Sequence, residues 1–318
     1  MKYELIGETK FYLATNYNEV TKESRNIMEM KFTDEVAPKG VELTDLSDDG
    51  DGSVVGWLEN DGVYKVSTQI EGQRVIFNIN SSFMFSWYKN LKLIDFSMVD
   101  TSQVVDMHGM FDGCENLQEL DLSNFDTSQV VDMNRMFSRC NFTHLELLSF
   151  DTSYVRDMSK MFSRCTNMKV VDLSSFDTNK VVDMSDMFYE CSSLTSLNLT
   201  HFKTQNVRKT DGMFARCSKI TSLDLSDFDM SALVSAAYMF QGCTKMKRLC
   251  VSNLMPFALD STKMGNCQII NPLHIFKDCN QLEELIIISH DKRTRYGYSL
   301  AQQRDETEQF EKKFGYVV

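Results

Sequence analysis

Long apolar runs and a surplus of basic residues are what this sequence lacks. The run Leu285-Ile286-Ile287-Ile288 is far shorter than the ~20 apolar residues needed to cross a bilayer, which excludes a membrane-spanning helix. Against 45 acidic residues there are 33 basic ones, and the formal charge of -12 disfavours nucleic acid and anionic lipid while favouring a basic partner or cations. Leader and anchor motifs are also missing, since Glu4 stands where a secretory signal needs a basic region. We expect no membrane insertion.

A repeat fills most of the chain. The pair Met-Phe, followed by cysteine three residues later, recurs every 26 residues, with one interval of 25. Phe85 extends the series backwards, with Tyr88 in the cysteine position, and Phe276 extends it forwards after about ten inserted residues. The central phenylalanines are Phe111, Phe137, Phe162, Phe188, Phe214 and Phe240. About eight units result, more than the ~3 that stacked repeats need to form a continuous core.

The two halves of each unit have different apolar periods. The segment Leu120–Ser123 alternates apolar and polar residues, which predicts a short half-buried strand. Val130, Met133, Met136 and Phe137 follow helical spacing, which predicts one short helix. An aspartate also recurs at the expected start of the helix, and this second acidic phase, distinct from the acidic stripe described below, is interpreted as helix capping: Asp100, Asp126, Asp151, Asp177 and Asp229.

These patterns predict an α/β leucine-rich-repeat solenoid of about eight strand-turn-short-helix units, with a parallel sheet on its concave face. Residues 1–80 lack the repeat, and alternating segments near Phe32, Tyr64 and Ile76 predict a β-rich N-terminal cap. The predicted domains are therefore the cap at 1–80, the solenoid at 81–289 and a C-terminal cap or tail at 290–318. Self-association through the solenoid ends is the alternative to capping.

The repeat string resembles the BspA-type leucine-rich repeat. Leu-Asp-Leu-Ser-x-Phe-Asp-Thr-Ser-x-Val-x-x-Met-x-x-Met-Phe-x-x-Cys is nearly intact from Leu120 to Cys140 and from Val171 to Cys191. Bacterial, mycoplasma and protozoan surface proteins carry this repeat, and the better-known ones bind host extracellular proteins or other cells. The resemblance implies a non-enzymatic adhesion or protein-recognition module at the cell surface or secreted. A phage or virion receptor-binding component and a cytosolic interaction scaffold are the alternatives, since no signal peptide or anchor is visible.

The predicted partner-binding residues lie on the exposed side of the strands. One phase forms an acidic stripe, interpreted either as a solubility feature or as a track for a basic partner or cation. The residue two positions ahead of the stripe varies from unit to unit, so it is free to specify a ligand. The predicted concave-face set is Asp95, Glu119, Asp121, His144, Glu146, Val170, Asp172, Asn198, Asp224 and Arg248.

No combination of residues predicts catalysis, a cofactor or a metal. The five histidines fall at different phases of the repeat, and no phosphate loop or nucleophile elbow accompanies them. The cysteine column is interpreted as buried free thiols rather than disulfides. Asp45 to Gly50 follows the start of a calcium loop but lacks its twelfth-position glutamate, and the group Cys250, Cys267, His274 and Cys279 lacks paired zinc spacing. A solvated turn is the preferred interpretation of the acidic loop.

Overall fold

Strands and turns dominate the computed structural model, which describes residues 3–4, 27–252, 275–288 and 293–297. No helix in this part of the chain is long and apolar enough to span a membrane. The strands are β1 (Glu29–Thr33), β2 (Thr44–Asp45), β3 (Val55–Leu58), β4 (Val63–Ser67), β5 (Val75–Ile76), β6 (Leu93–Asp95), β7 (Val99–Asp100), β8 (Ser222–Leu225), β9 (Arg248–Ser252), β10 (Glu284–Ile288) and β11 (Arg293–Gly297).

Three small sheets organise these strands. One has the order β2-β3-β4-β1-β6, with β1 parallel to both β4 and β6, and another pairs β5 with β7. The third has the order β11-β10-β9-β8, in which β10 and β11 are antiparallel. The predicted cap segments near Phe32, Tyr64 and Ile76 are strands. Because β6 belongs to the first repeat, the N-terminal segment is joined to the repeats by a shared sheet.

The repeats stack coil upon coil around a column of phenylalanine rings. Ring centroids of successive coils, from Phe85 to Phe276, lie 5.4–5.8 Å apart, and the ring planes are within 14° of parallel. Phe276 stacks on Phe240 at 5.7 Å, so the inserted residues before it do not break the column. Burying a phenylalanine contributes roughly 1.5–3 kcal/mol, so this column is a main source of stability.

The prediction of a short helix in each unit is wrong. Val130, Met133, Met136 and Phe137 are all buried, as their spacing requires, but residues 81–247 contain no α-helix. Consecutive turns occupy the predicted helical segment. The predicted α/β solenoid with strand-turn-short-helix units is therefore replaced by coils built mainly of turns.

Hydrogen bonding explains why turns form there. The amides of Met136, Ser138 and Cys140 bond to carbonyls three residues earlier, while the alternate amides bond to carbonyls of the next coil. Arg135 donates to Ser159 at 2.9 Å in this way. Arg135 and Arg139 have φ values of 57° and 59°, a left-handed conformation that a right-handed helix cannot contain. The chain thus exchanges internal helical bonds for a ladder between coils.

The predicted continuous parallel sheet is also wrong. Leu120 and Leu122 are buried and Asp121 is exposed between them, as the alternation predicts. Nevertheless, residues 101–221 contain no strand, and the parallel contacts there are single bridges such as Asp106 to Asp132. Within the described residues, extended pairing of the leucine segments returns at β8, β9 and β10.

Three aspartates open the turns of one coil. Asp121, Asp126 and Asp132 each accept a hydrogen bond from the amide two residues later, at 2.9, 2.9 and 2.7 Å. Such carboxylate-capped turns are a common use of aspartate. The second acidic phase, predicted to cap helices, therefore begins turns instead.

Candidate functional site

The residues predicted to bind a partner occupy two equivalent positions of successive coils, and all but one of them are exposed. We call this set the stripe face: Asp95, Glu119, Asp121, His144, Glu146, Val170, Asp172, Asn198, Asp224 and Arg248. Asp95 is half-buried and the other nine are exposed. Whether a partner binds there stays a prediction, but every one of these side chains is accessible to one.

The stripe carboxylates also have a local structural task. Asp95, Asp121, Asp172 and Asp224 each accept the amide hydrogen of the serine two residues later at 2.9 Å. Asn198 does the same with the amide of Thr200 at 3.2 Å. Asparagine therefore fills this role without charge, so the turn needs the oxygen acceptor and not the negative charge.

Hydrogen bonding also affects titration along the stripe. The hydroxyl and amide of Ser123 lower the pKa of Asp121. At Asp224, burial acts to raise the pKa, but hydrogen bonds from Ser226 and Cys250 and the charge of Arg248 hold it below its ordinary value. These carboxylates are thus ionised at neutral pH, and the stripe face carries several fixed negative charges.

Only some stripe residues contact one another. His144 and Glu146 form an ion pair two residues apart when the histidine is protonated. Two other stripe residues face residues outside the stripe face. Arg248 Nε lies 3.3 Å from Oε2 of Glu284 in the following coil, and Asp95 stands opposite Lys31 in the β1–β6 register. Val170 is 51% exposed and adds an apolar side chain to the face. The face is a row of separate side chains and not a convergent pocket.

A second surface, which the sequence analysis missed, lies on the turns. Two positions in each coil, four residues apart, have positive φ and recur from coil to coil as two columns. The first column contains Phe83, Gly109, Arg135, Lys160, Asp186, Gly212 and Tyr238. The second contains Trp87, Gly113, Arg139, Arg164, Glu190, Arg216, Gly242 and Asp278.

Where the columns carry cations, they line a cleft of about 350 Å³. We call it the turn cleft, and its residues are Arg135, Ser138, Arg139, Lys160, Ser163, Arg164, Asp186 and Tyr189. It contains four basic side chains and one acidic side chain, the opposite balance to the whole chain. The signal in the sequence is weak, because these residues fall at positions that the repeat pattern leaves variable.

Neighbouring acids hold some of these cations. Arg139 Nη1 donates to Oδ1 of the buried Asp112 at 2.9 Å, and Arg164 Nε lies 2.9 Å from Glu190. Burial raises the pKa of Asp186, while the charge of Lys160, 3.9 Å away, opposes that shift. Arg135 makes no ion pair within the part of the chain that the structure describes, although its positive charge also acts to lower the pKa of Asp186.

The cysteine column is inert packing. The Cys140 thiol donates to the carbonyl of Phe111 at 3.1 Å, and the same bond recurs along the stack. Burial raises the pKa of Cys165 and Cys217 to about 12, so the thiolate that attacks or binds metals is suppressed. The eight cysteines that the structure describes are buried and free.

Metal binding finds no further support in the described ranges, which contain no suitable group of three His, Cys, Asp or Glu residues. Of the weak zinc candidates, Cys267 and His274 lie outside the described residues. Asp45 in the acidic loop accepts the Ser47 amide at 3.0 Å, as a turn-forming carboxylate does.

A family model described as "Mycoplasma protein of unknown function, DUF285" matches residues 79–171 and 165–254, which together span more than half of the chain. The chain belongs to this family. The DUF285 matches begin at the first stacked coil and end after β9, so they cover the coils that carry both the stripe face and the turn cleft. Among curated proteins, none matches the chain.

Proposed function

We propose that this DUF285 protein is a non-enzymatic recognition module that binds a protein partner through the stripe face. One observation carries the proposal. Within each coil the buried positions repeat almost unchanged, whereas the exposed position two residues ahead of the stripe changes its chemistry from coil to coil. That position is occupied in turn by Leu93, Glu119, His144, Val170, Ser196, Ser222 and Arg248.

Physical arguments favour this position as the source of specificity. A scaffold that stacks identical coils constrains its buried side chains, but it places no such demand on an exposed one. Protein interfaces take most of their affinity from a few anchors of differing chemistry. The exposed Val170 and Leu93 supply apolar anchors beside ionised carboxylates, which suits a partner with basic and apolar groups.

Adhesion is the form of recognition that we propose. The support is the resemblance of the repeat to BspA-type leucine-rich repeats, whose better-known carriers bind host extracellular proteins or other cells. As a cytosolic scaffold or a virion receptor-binding component, which are the alternatives, the chain would use the same exposed surface. The identity of the captured partner separates these alternatives.

The test compares the wild type with a variant that changes only the variable exposed position of three coils. Glu119→Ser, His144→Ser and Val170→Ser introduce the residue that two other coils already carry at this position, so folding should be preserved. The matched control places serine at Gln129, Tyr154 and Lys180, three exposed positions on a different part of the same coils. Each protein is immobilised and exposed to host-surface and cytosolic extracts, and captured proteins are identified by mass spectrometry.

We expect wild type and control to capture an extracellular protein that the stripe variant loses. With the purified partner, the stripe variant should bind at least about tenfold more weakly, which corresponds to ~1.4 kcal/mol. Capture of an intracellular protein with the same dependence would favour the scaffold. Equal binding by stripe variant and wild type would contradict the proposed face.

A further inference from the structure

The turn cleft combines backbone strain with an unusual local charge. Left-handed φ is costly for residues with a Cβ atom and free for glycine. The coil before the cleft has glycine at both positions, Gly109 and Gly113, so the scaffold accepts glycine there. The next two coils place Arg135, Arg139, Lys160 and Arg164 at the same positions. The left-handed conformation itself recurs from coil to coil and belongs to the scaffold; what distinguishes the cleft is that all four of these left-handed positions carry cations.

The four cations are not equally committed to the fold. Arg139 bonds to buried Asp112, and Arg164 pairs with Glu190, so both have structural partners. Lys160 is 3.9 Å from Asp186, beyond hydrogen-bonding distance, and Arg135 has no ion pair with any residue that the structure describes. Arg135 and Lys160 come from adjacent coils and line the same cleft. Both act on Asp186 through charge without donating a hydrogen bond to it, so their donor groups remain available to a ligand.

We propose that the turn cleft binds a single phosphoryl or sulfo group. The planar guanidinium of Arg135 suits two oxygens of a tetrahedral anion, and Lys160 adds a compact positive charge. The cleft has room for a small group, at about 350 Å³. Asp186 lines the cleft, Asp112 and Glu190 pair with two of its arginines, and the chain as a whole carries a charge of -12, so an extended polyanion would be repelled outside the cleft. A single compact dianion fits the volume of the cleft and does not extend into the negatively charged surroundings.

The inference is independent of the stripe face, because its residues belong to a different surface. The full chain is titrated calorimetrically at low ionic strength with sodium phosphate, sodium sulfate, a phosphoserine peptide and the same peptide without phosphate. The test variant is Arg135→Gly with Lys160→Gly, which removes both donors and leaves a residue that the left-handed positions accept.

Two control variants match it. Tyr238→Gly makes the same kind of backbone change in the first left-handed column, away from the cleft. Arg156→Gln with Arg208→Gln removes two exposed positive charges elsewhere. Thermal unfolding of every variant verifies that it is folded.

We expect wild type and both controls to bind phosphate or the phosphorylated peptide, and the double-glycine variant to bind at least tenfold more weakly. Binding of both probes would identify the anionic group as the ligand, and binding of the peptide alone would place that group on a protein. The proposal is overturned if wild type binds none of the anions, if the double-glycine variant binds as well as wild type, or if the charge control loses as much affinity.

Discussion

The side-chain hydroxyl of Thr127 makes two hydrogen bonds to the backbone of Asp151 in the next coil. It donates to the Asp151 carbonyl oxygen at 2.9 Å and accepts from the Asp151 amide at 2.8 Å. Thr127 is buried, and Thr101 makes the same pair of bonds to Asp126 one coil earlier. A threonine in each of these coils thus substitutes for the strand pairing that these segments lack.

Replacing this hydroxyl should therefore loosen the contact between coils. Thr127→Val keeps the shape of the side chain but removes the partner of two partly buried backbone groups of Asp151, and we expect a loss of about 1–3 kcal/mol in the free energy of unfolding. Thr127→Ser retains the hydroxyl and is the control. Urea denaturation measures both variants, and a valine variant as stable as the serine variant would show that the threonine bonds are dispensable.

The phenylalanine column should be sensitive to a single deletion. Phe188 is fully buried between Phe162 and Phe214, with centroid distances of 5.6 and 5.8 Å. Phe188→Ala leaves a cavity in the stack and should lower the free energy of unfolding by ~3–5 kcal/mol. Tyr154→Ala, at a 54% exposed position, should change it by less than about 0.5 kcal/mol. Similar effects of the two substitutions in chemical denaturation would exclude the stacked core.

The spacing of apolar residues predicted which side chains are buried but not the backbone that buries them. Val130, Met133, Met136 and Phe137 fit one face of a helix, and stacked turns bring the same four inside. A usable signal was present in Gly109 and Gly113, since two glycines four residues apart are unfavourable in a helix and suited to left-handed turns.

The two surfaces differ in how far sequence could predict them. Simple alternation around Leu120 and Leu122 was enough to place the stripe residues on an exposed side. The turn cleft depends on two left-handed positions in adjacent coils lying side by side, and this register becomes visible only when the coils are stacked. The carboxylates of the stripe also proved to be turn acceptors, which composition and spacing do not reveal.

Stability should depend on pH through Asp132. Burial and the carboxylates of Asp106 and Asp157 raise its pKa, although the Asn134 amide bond opposes the shift. A raised carboxyl pKa means that the folded state loses stability as pH rises and Asp132 ionises. Asn80 in the same column shows that asparagine can cap this turn, through its bond to the Ser82 amide at 3.0 Å.

Asp132→Asn should therefore stabilise the protein at pH 7 by roughly 0.2–1 kcal/mol, the usual cost of like charges facing across strands. The difference between variant and wild type should shrink as pH falls and Asp132 becomes protonated in both folded and unfolded states. Urea denaturation at several pH values checks this. A difference that is constant with pH would assign the effect to packing instead of charge.

The ion pair between Arg139 and Asp112 should be structural. Arg139→Ala leaves the buried Asp112 carboxylate without its cation and should lower the free energy of unfolding by about 1–3 kcal/mol. This range takes into account that solvent screens the pair, because the arginine is partly exposed. Adding Asp112→Ser should recover most of the loss, since Ser138 and Ser163 occupy the equivalent position in the next two coils. Thermal denaturation of the single and double variants tests this, and a double variant no more stable than the single one would refute the pairing.

The stacked-turn fold and the turn cleft depend on one claim, that the coils turn through two left-handed residues each. The most direct measurement is the backbone φ of Arg135, Arg139, Lys160 and Arg164 by NMR couplings in the isotopically labelled full chain. The account predicts positive φ at all four, near the 57–64° of the structure. Values near the -63° of an α-helix would restore the helical unit and contradict the geometry of the turn cleft.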